Sequence, residues 1–203
     1  MPNLRRFDDE YSIDVQSASI LFRPHKIEWL FGDSKPVGFK RTFQPLAGIA
    51  RSTHQIGSTT ITRTVIAAEE EDAVFIHLIA DQPGALSFRV TFGISGEGEA
   101  KIEDRRRFVR PAVADQPDSL GAEVWVLPFE SDVATEDDSI AVRGEGEAMI
   151  LIAYAAARET TLPLAETLAR LGKRYDPGHL PPDPSKIWHG VLANHLKSAE
   201  NSP

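Results

Sequence analysis

The chain has 203 residues, 41% of them hydrophobic, which is enough to bury one sizeable core, and 30 acidic residues against 22 Lys and Arg give a formal net charge of -8. That balance argues against a duplex nucleic-acid binder, which must neutralise many phosphates. With no cysteine there is neither a disulfide framework nor a thiolate metal site, and no uncharged apolar run of ~18 residues offers a membrane span.

The N-terminus has Arg5 and Arg6 but no apolar run behind them, so no secretory leader is expected and a cytoplasmic location is the default. The first strand candidate is 17–22. Residues 59–94 then read as three successive strands: alternation through Ile61, Arg63 and Val65, a nearly continuous apolar run at 74–80, and a return at Leu86, Phe88 and Val90 after Gln82-Pro83-Gly84. Further strands are expected at 122–127, 139–142 and 147–157, and the last is apolar at nearly every position, as a central strand should be. Gly and Pro turn signals at short intervals separate these runs, which predicts a sandwich of antiparallel sheets over 1–158. From 159 to 203 the period changes. Leu164, Leu168 and Leu171 fall on one helical face with Gly172 as a stop. Asp183 and Pro184 open a second helix on which Ile187, Val191, Leu192 and His195 share a face. This segment is expected to pack on the sandwich or on a partner, with Ile187, Trp188, Val191 and His195 as the docking residues.

Candidate chemistry is sparse. Gly96-Glu97-Gly98 and Gly144-Glu145-Gly146 lack the third glycine and the following helix that a dinucleotide site needs. Arg105 and Arg107, within Arg105-Arg106-Arg107-Phe108, could fork onto a ligand's oxygens, or line one side of a solvated strand. The acidic runs at 8–10, 69–72 and 136–138 fit solvated turns better than the two facing carboxyls of a glycosidase. His189 and His195 are six apart, about 240° around a helix, so no metal set is expected. The only acid/base set with any support is His77 with Glu69 or Glu71. Of the three tryptophans, which could stack on a sugar ring, Trp29 is expected to be exposed, while Trp125 and Trp188 read as packing residues.

The segments Phe43-Gln44-Pro45-Leu46-Ala47-Gly48-Ile49-Ala50-Arg51, Ile61-Thr62-Arg63-Thr64-Val65 and Phe75-Ile76-His77-Leu78-Ile79-Ala80-Asp81-Gln82-Pro83-Gly84-Ala85-Leu86-Ser87-Phe88, with a strand at 147–154, the helix around Leu164 to Leu171 and a terminal helix with His195, resemble the N-terminal β-domain of glycoside hydrolase family 95 and related (α/α)6-barrel glycosidases. The resemblance implies a mainly β, two-sheet antiparallel β-supersandwich of the galactose mutarotase kind with one or two C-terminal helices. It also implies a missing neighbour: in that family the catalytic acid and base stand on a helical barrel after the β-domain, and none of those residues can be carried over. The function expected is a non-catalytic scaffold or accessory sugar-binding module with no cofactor, with Trp29, Arg105 and Arg107 as sugar contacts and a barrel domain or a second copy as partner. The alternatives are a small mutarotase-like enzyme using the His77 set, and a protein that self-associates through its terminal helices.

Overall fold

A computed structural model describes residues 4–7, 10–15, 18–22, 26–29, 37–44, 47–68, 73–91, 101–104, 107–110, 120–130, 133–156, 164–179 and 181–200. Strands β1 (Leu4–Phe7), β2 (Glu10–Val15) and β3 (Ala18–Phe22) form a three-stranded antiparallel meander. Strand β4 (Lys26–Trp29) is followed by β5 (Val37–Gln44), β6 (Ile49–Ile56), β7 (Thr59–Ala68), β8 (Ala73–Ala80) and β9 (Leu86–Thr91). After these come β10 (Lys101–Asp104), β11 (Arg107–Arg110), β12 (Leu120–Pro128), β13 (Val133–Glu136), β14 (Ser139–Glu145) and β15 (Glu147–Ala156). Two helices close the order, α1 (Leu164–Tyr175) and α2 (Pro184–Glu200). The protein is thus mainly β, a two-sheet antiparallel sandwich with two C-terminal helices, and it carries the small meander besides.

The large sheet has eight strands in the order β10-β11-β12-β15-β8-β7-β6-β5, and the small one four, β13-β14-β9-β4. Every neighbouring pair is antiparallel. Period-two alternation assigns the faces. Val74, Ile76 and Leu78 on β8, with Ile150 and Ile152 on β15, turn inward to meet Leu86, Phe88 and Val90 on β9 and Ile140 and Val142 on β14. Phe75, Met149 and Leu151 turn outward to Leu171 on α1 and to Ile187, Trp188 and Val191 on α2. A strand covered on both faces has no polar position to alternate with, which is why β8 and β15 read as continuous apolar runs. Each wholly buried Ile, Leu or Phe contributes roughly 1.5–3 kcal/mol relative to exposure.

The helices begin and end for local reasons. Asp183 Oδ1 accepts the Ser185 amide at 2.9 Å, an N-cap bond, and Pro184 follows at the first helical position, where its missing N–H costs nothing. Gly172 is not the stop expected of it. Helix α1 runs on to Tyr175, and a Cβ on Gly172 would lie 2.9 Å from Pro182 Cβ, so the glycine makes room for the returning chain. The positive φ belongs to Gly178, at 100°, in the turn beyond the helix. Between the helices, Asp176 accepts from Lys186 Nζ at 2.8 Å and from the Asp183 amide at 3.0 Å. Those two bonds, with His179 also beside it, hold its carboxyl down at about 2.

The stripe expected to pack on the sandwich or on a partner lies against the chain's own large sheet. Ile187, Trp188 and Val191 are buried against the large sheet, and His195 Nδ1 meets the Ala47 carbonyl at 3.2 Å. The physical reason is that the outward faces of β8 and β15 are themselves apolar and need a cover.

Candidate functional site

Two groups of polar and aromatic side chains stand at the seam between the outer face of the large sheet and the helices. The first centres on His77 of β8, whose neighbours in register are Thr64 on β7 and Met149 on β15. Alternation points its ring outward, under α2. There it stacks on Trp188, with ring centroids 4.5 Å apart and planes 16° apart, and on Phe129 at 5.8 Å. Its Nε2 lies 3.4 Å from Glu147 Oε2. Burial between the rings pushes the His77 pKa below the ordinary imidazole range; Glu147 pulls it partly back, and His189 and Arg51 add to the lowering. His77 is therefore a neutral ring at pH 7, sealed by an indole and tied to one carboxylate.

The expected partners Glu69 and Glu71 lie outside the described residues; among the described residues the carboxylate beside His77 is Glu147. Antiparallel pairing of β15 with β8 sets Met149 opposite His77 and so carries Glu147 two positions along the neighbouring strand, on the same face.

The second group lines a cavity of about 440 Å³ next to the first. Trp125, Leu127 and Phe129 come from β12 and the residue beyond it, Leu168 from α1, Pro184 and Ile187 from α2, and Pro181 and Pro182 from the connection, with Glu130 as the charged lining residue. Phe129 belongs to both groups. Trp125, expected to be a packing residue, packs on the outer side of the sheet rather than in the core between the sheets: Val124 and Val126 face inward while Trp125 faces outward, partly buried against the helical layer. Arg107 stands opposite Trp125 in register, and its guanidinium carbon lies 5.7 Å from the indole centroid. The Arg107 side chain therefore extends the aromatic surface by a cation–π contact. Two strands fix the positions of Trp125 and Arg107, which makes this surface more rigid than one built on loops.

Of the remaining expected sugar contacts, Arg105 and the Trp29 side chain lie outside the described residues; the backbone of Trp29 pairs with Phe88 on the small sheet. Other histidines are engaged locally: His179 with Asp176 at 2.8 Å, His189 Nδ1 with the Ser185 carbonyl at 2.7 Å, and His54 buried beside Phe39. Among the described residues no three His, Asp or Glu side chains gather as a metal-binding group, and no helix is long and apolar enough to cross a membrane.

No protein-family model matches the chain, and no curated protein matches it in sequence. Among solved structures it is similar to a putative kojibiose phosphorylase from human microbiome, at TM-score 0.49 and 6% identity over 88% of this chain and 28% of that one. It is also similar to a heparinase III, at TM-score 0.45 and 11% identity over 64% of this chain and 23% of that one. The chain thus spans about a quarter of the length of each. At such scores the likeness is one of chain path only, and nothing about activity follows from it.

Proposed function

We propose that this chain is a non-catalytic β-sandwich module of glycoside-hydrolase type, of the kind that precedes the barrel in family 95, and that its Trp125–Phe129 cleft seats a saccharide ring. The observation that carries the reading is the contrast between the two groups at the seam. The histidine–carboxylate pair at the seam, His77 with Glu147, is roofed by Trp188, which leaves His77 only 7% exposed. The open cavity beside it offers aromatic and proline surfaces, a single carboxylate and a nearby guanidinium. Such a lining suits a ligand with apolar faces and a hydroxyl edge: ring C–H groups lie against Trp125 and Phe129 while Glu130 accepts from hydroxyls. It does not supply the two facing carboxyls that glycoside hydrolysis uses. The sequence resemblance at 43–51, 61–65 and 75–88 supports the same reading.

Titration with L-fucose, D-galactose, D-glucose and their short oligosaccharides, followed by tryptophan fluorescence, tests it. A saturable change is expected, weakened about tenfold (~1.4 kcal/mol) in Trp125→Ala at unchanged far-ultraviolet circular dichroism. A saturable change equally strong in Trp125→Ala would place the sugar elsewhere, and none with any saccharide would leave the module as scaffold alone.

The 3.4 Å contact of His77 with Glu147 favours a second reading, an anomer-interconverting enzyme in which one member of the pair takes the proton of the anomeric hydroxyl while the other gives one to the ring oxygen, opening the ring, and the reverse transfers close it on the other face. That chemistry needs a saccharide oxygen at His77 Nε2, and therefore needs α2 to lift Trp188 from the ring.

A further inference from the structure

Strand β5 is the last strand of the large sheet, and among the described residues nothing pairs with its outer edge. All eight of its residues are exposed. Of the four large apolar side chains that stand largely exposed among the described residues, three are on this strand: Val37 at 57%, Phe39 at 53% and Phe43 at 50%. The fourth, Leu196, is on α2. An edge strand that combines a row of outward backbone donors and acceptors with clustered exposed apolar groups is a template for pairing with another chain.

We propose that β5 pairs antiparallel with β5 of a second copy of this chain about a twofold axis at Thr42, joining two eight-stranded sheets into one. The register follows from the residues. Pairing with β6 shifts between Val37 and Lys40, where Gly38 has φ of 65°, so this bulge leaves residues 40–44 as the regular part of the strand. In that part Arg41 opposes Ser52 and Phe43 opposes Ala50, whose side chain turns to the inner core, while Lys40, Thr42 and Gln44 face the other way. A twofold at Thr42 sets Thr42 against its own copy, Arg41 against Phe43 and Lys40 against Gln44. Each pair lies on one face, and no like charges stand directly opposite. Arg41 already lies 4.3 Å from the Phe39 ring centroid, so its guanidinium can reach a cross-strand phenyl ring. Centring on Lys40 or Arg41 instead would set two cations face to face. One short isologous contact per copy closes on itself and gives a dimer rather than a fibre.

Charge separates this partner from the other kind the edge could take. The strand carries Lys40 and Arg41 and no acid, on a chain of net charge -8. Two copies bring four cations near the axis, so salt screens a repulsion and tightens the dimer. An extended acidic segment from a different protein would be held by those cations and released by salt.

The absence of cysteine makes a direct test available on the full chain. Cross-strand Cα separations of about 4.5–5.5 Å lie within the range a disulfide spans. Under mild oxidation Thr42→Cys is expected to form a covalent dimer as its main product. Lys40→Cys alone should stay at the collisional background, and an equimolar mixture of Lys40→Cys with Gln44→Cys should give the mixed dimer. Sedimentation equilibrium of the unmodified chain should show association that strengthens from about 50 mM to about 500 mM salt, and that is lost in Thr42→Lys at low salt with circular dichroism unchanged. A chain that stays monomeric at both salt levels overturns the proposal. So does a dimer in which Lys40→Cys crosslinks to itself as readily as Thr42→Cys, or capture of an acidic polypeptide that salt weakens in place of self-association.

Discussion

His77 and Asp176 give the protein two separate acid responses because each is held away from its ordinary titration range. For His77 the lowering means that, between its folded value and 6.5, the unfolded chain binds more protons than the folded one. Stability therefore climbs with pH through the window below 6.5 and levels above it. His54, also lowered by burial and by Arg63, acts in the same direction. Asp176, held at about 2 against 3.8, contributes stability that is present above 3.8 and is lost as pH falls toward 2. Urea midpoints are thus expected to be lower at pH 5 than at pH 7.5, and His77→Phe, which keeps an aromatic ring between Trp188 and Phe129, should narrow that gap without closing it, because His54 remains. Equal midpoints at the two pH values in the parent chain would contradict the burial of these rings. In Asp176→Asn the further loss between pH 4 and pH 2 should shrink, while the change that sets in below 6.5 stays.

At the scale of elements, the helix pair is keyed by two glycines that serve packing rather than conformation. A Cβ on Gly190 would lie 2.2 Å from Tyr175 Cδ1, and the Tyr175 hydroxyl accepts from Asn194 Nδ2 at 2.8 Å, so the ring is fixed in the notch that Gly190 leaves. In an isolated helix Gly190→Ala would gain about 1 kcal/mol. Here the forced shift of a packed ring is expected to cost about 1–3 kcal/mol net, read as a lowered melting temperature; an unchanged or raised one would show that Tyr175 does not occupy the notch. Sequence patterning reached much of this level. The three strands within 59–94, the central strand at 147–156 and the capped start of α2 were all legible, because alternation, continuous apolar runs and an Asp-Pro opening are direct records of burial and of unpaired amides. Gly172 was misread as a stop because sequence does not distinguish a glycine that needs positive φ from one that admits a proline across a turn. Strand β5 gave little signal, since Val37-Gly38-Phe39-Lys40-Arg41-Thr42-Phe43 mixes cations, a bulge and aromatics on an edge that no core organises.

Across the whole molecule the layers run helices, eight-stranded sheet, four-stranded sheet, and the candidate sites follow from where the helical layer covers the large sheet. Under α2 the outer face is sealed, which buries His77. Beside it, where the connection between the helices turns back over β12, the cover is incomplete and Trp125 is left at a cavity. The sequence pointed to His77 and to the possibility of aromatic stacking, but it did not reach the partner or the place. Glu147 is 70 residues from His77, and only strand pairing brings the two together. Trp125 alternates like a core residue, and the direction it faces depends on which layer each face meets. Likewise the apolar stripe of α2 was visible, while the choice between its two expected targets, the sandwich and a partner, was not.

The central claim is that the histidine–carboxylate pair is structural and that the module does no chemistry. The most direct test follows the optical rotation of freshly dissolved α-D-glucose, D-galactose and L-fucose, together with hydrolysis of their aryl glycosides, with the purified chain and with Glu147→Gln. The account expects every rate to equal the buffer rate for both proteins. Catalysed anomer interconversion or hydrolysis by the parent chain, abolished in Glu147→Gln at unchanged fold, would contradict it.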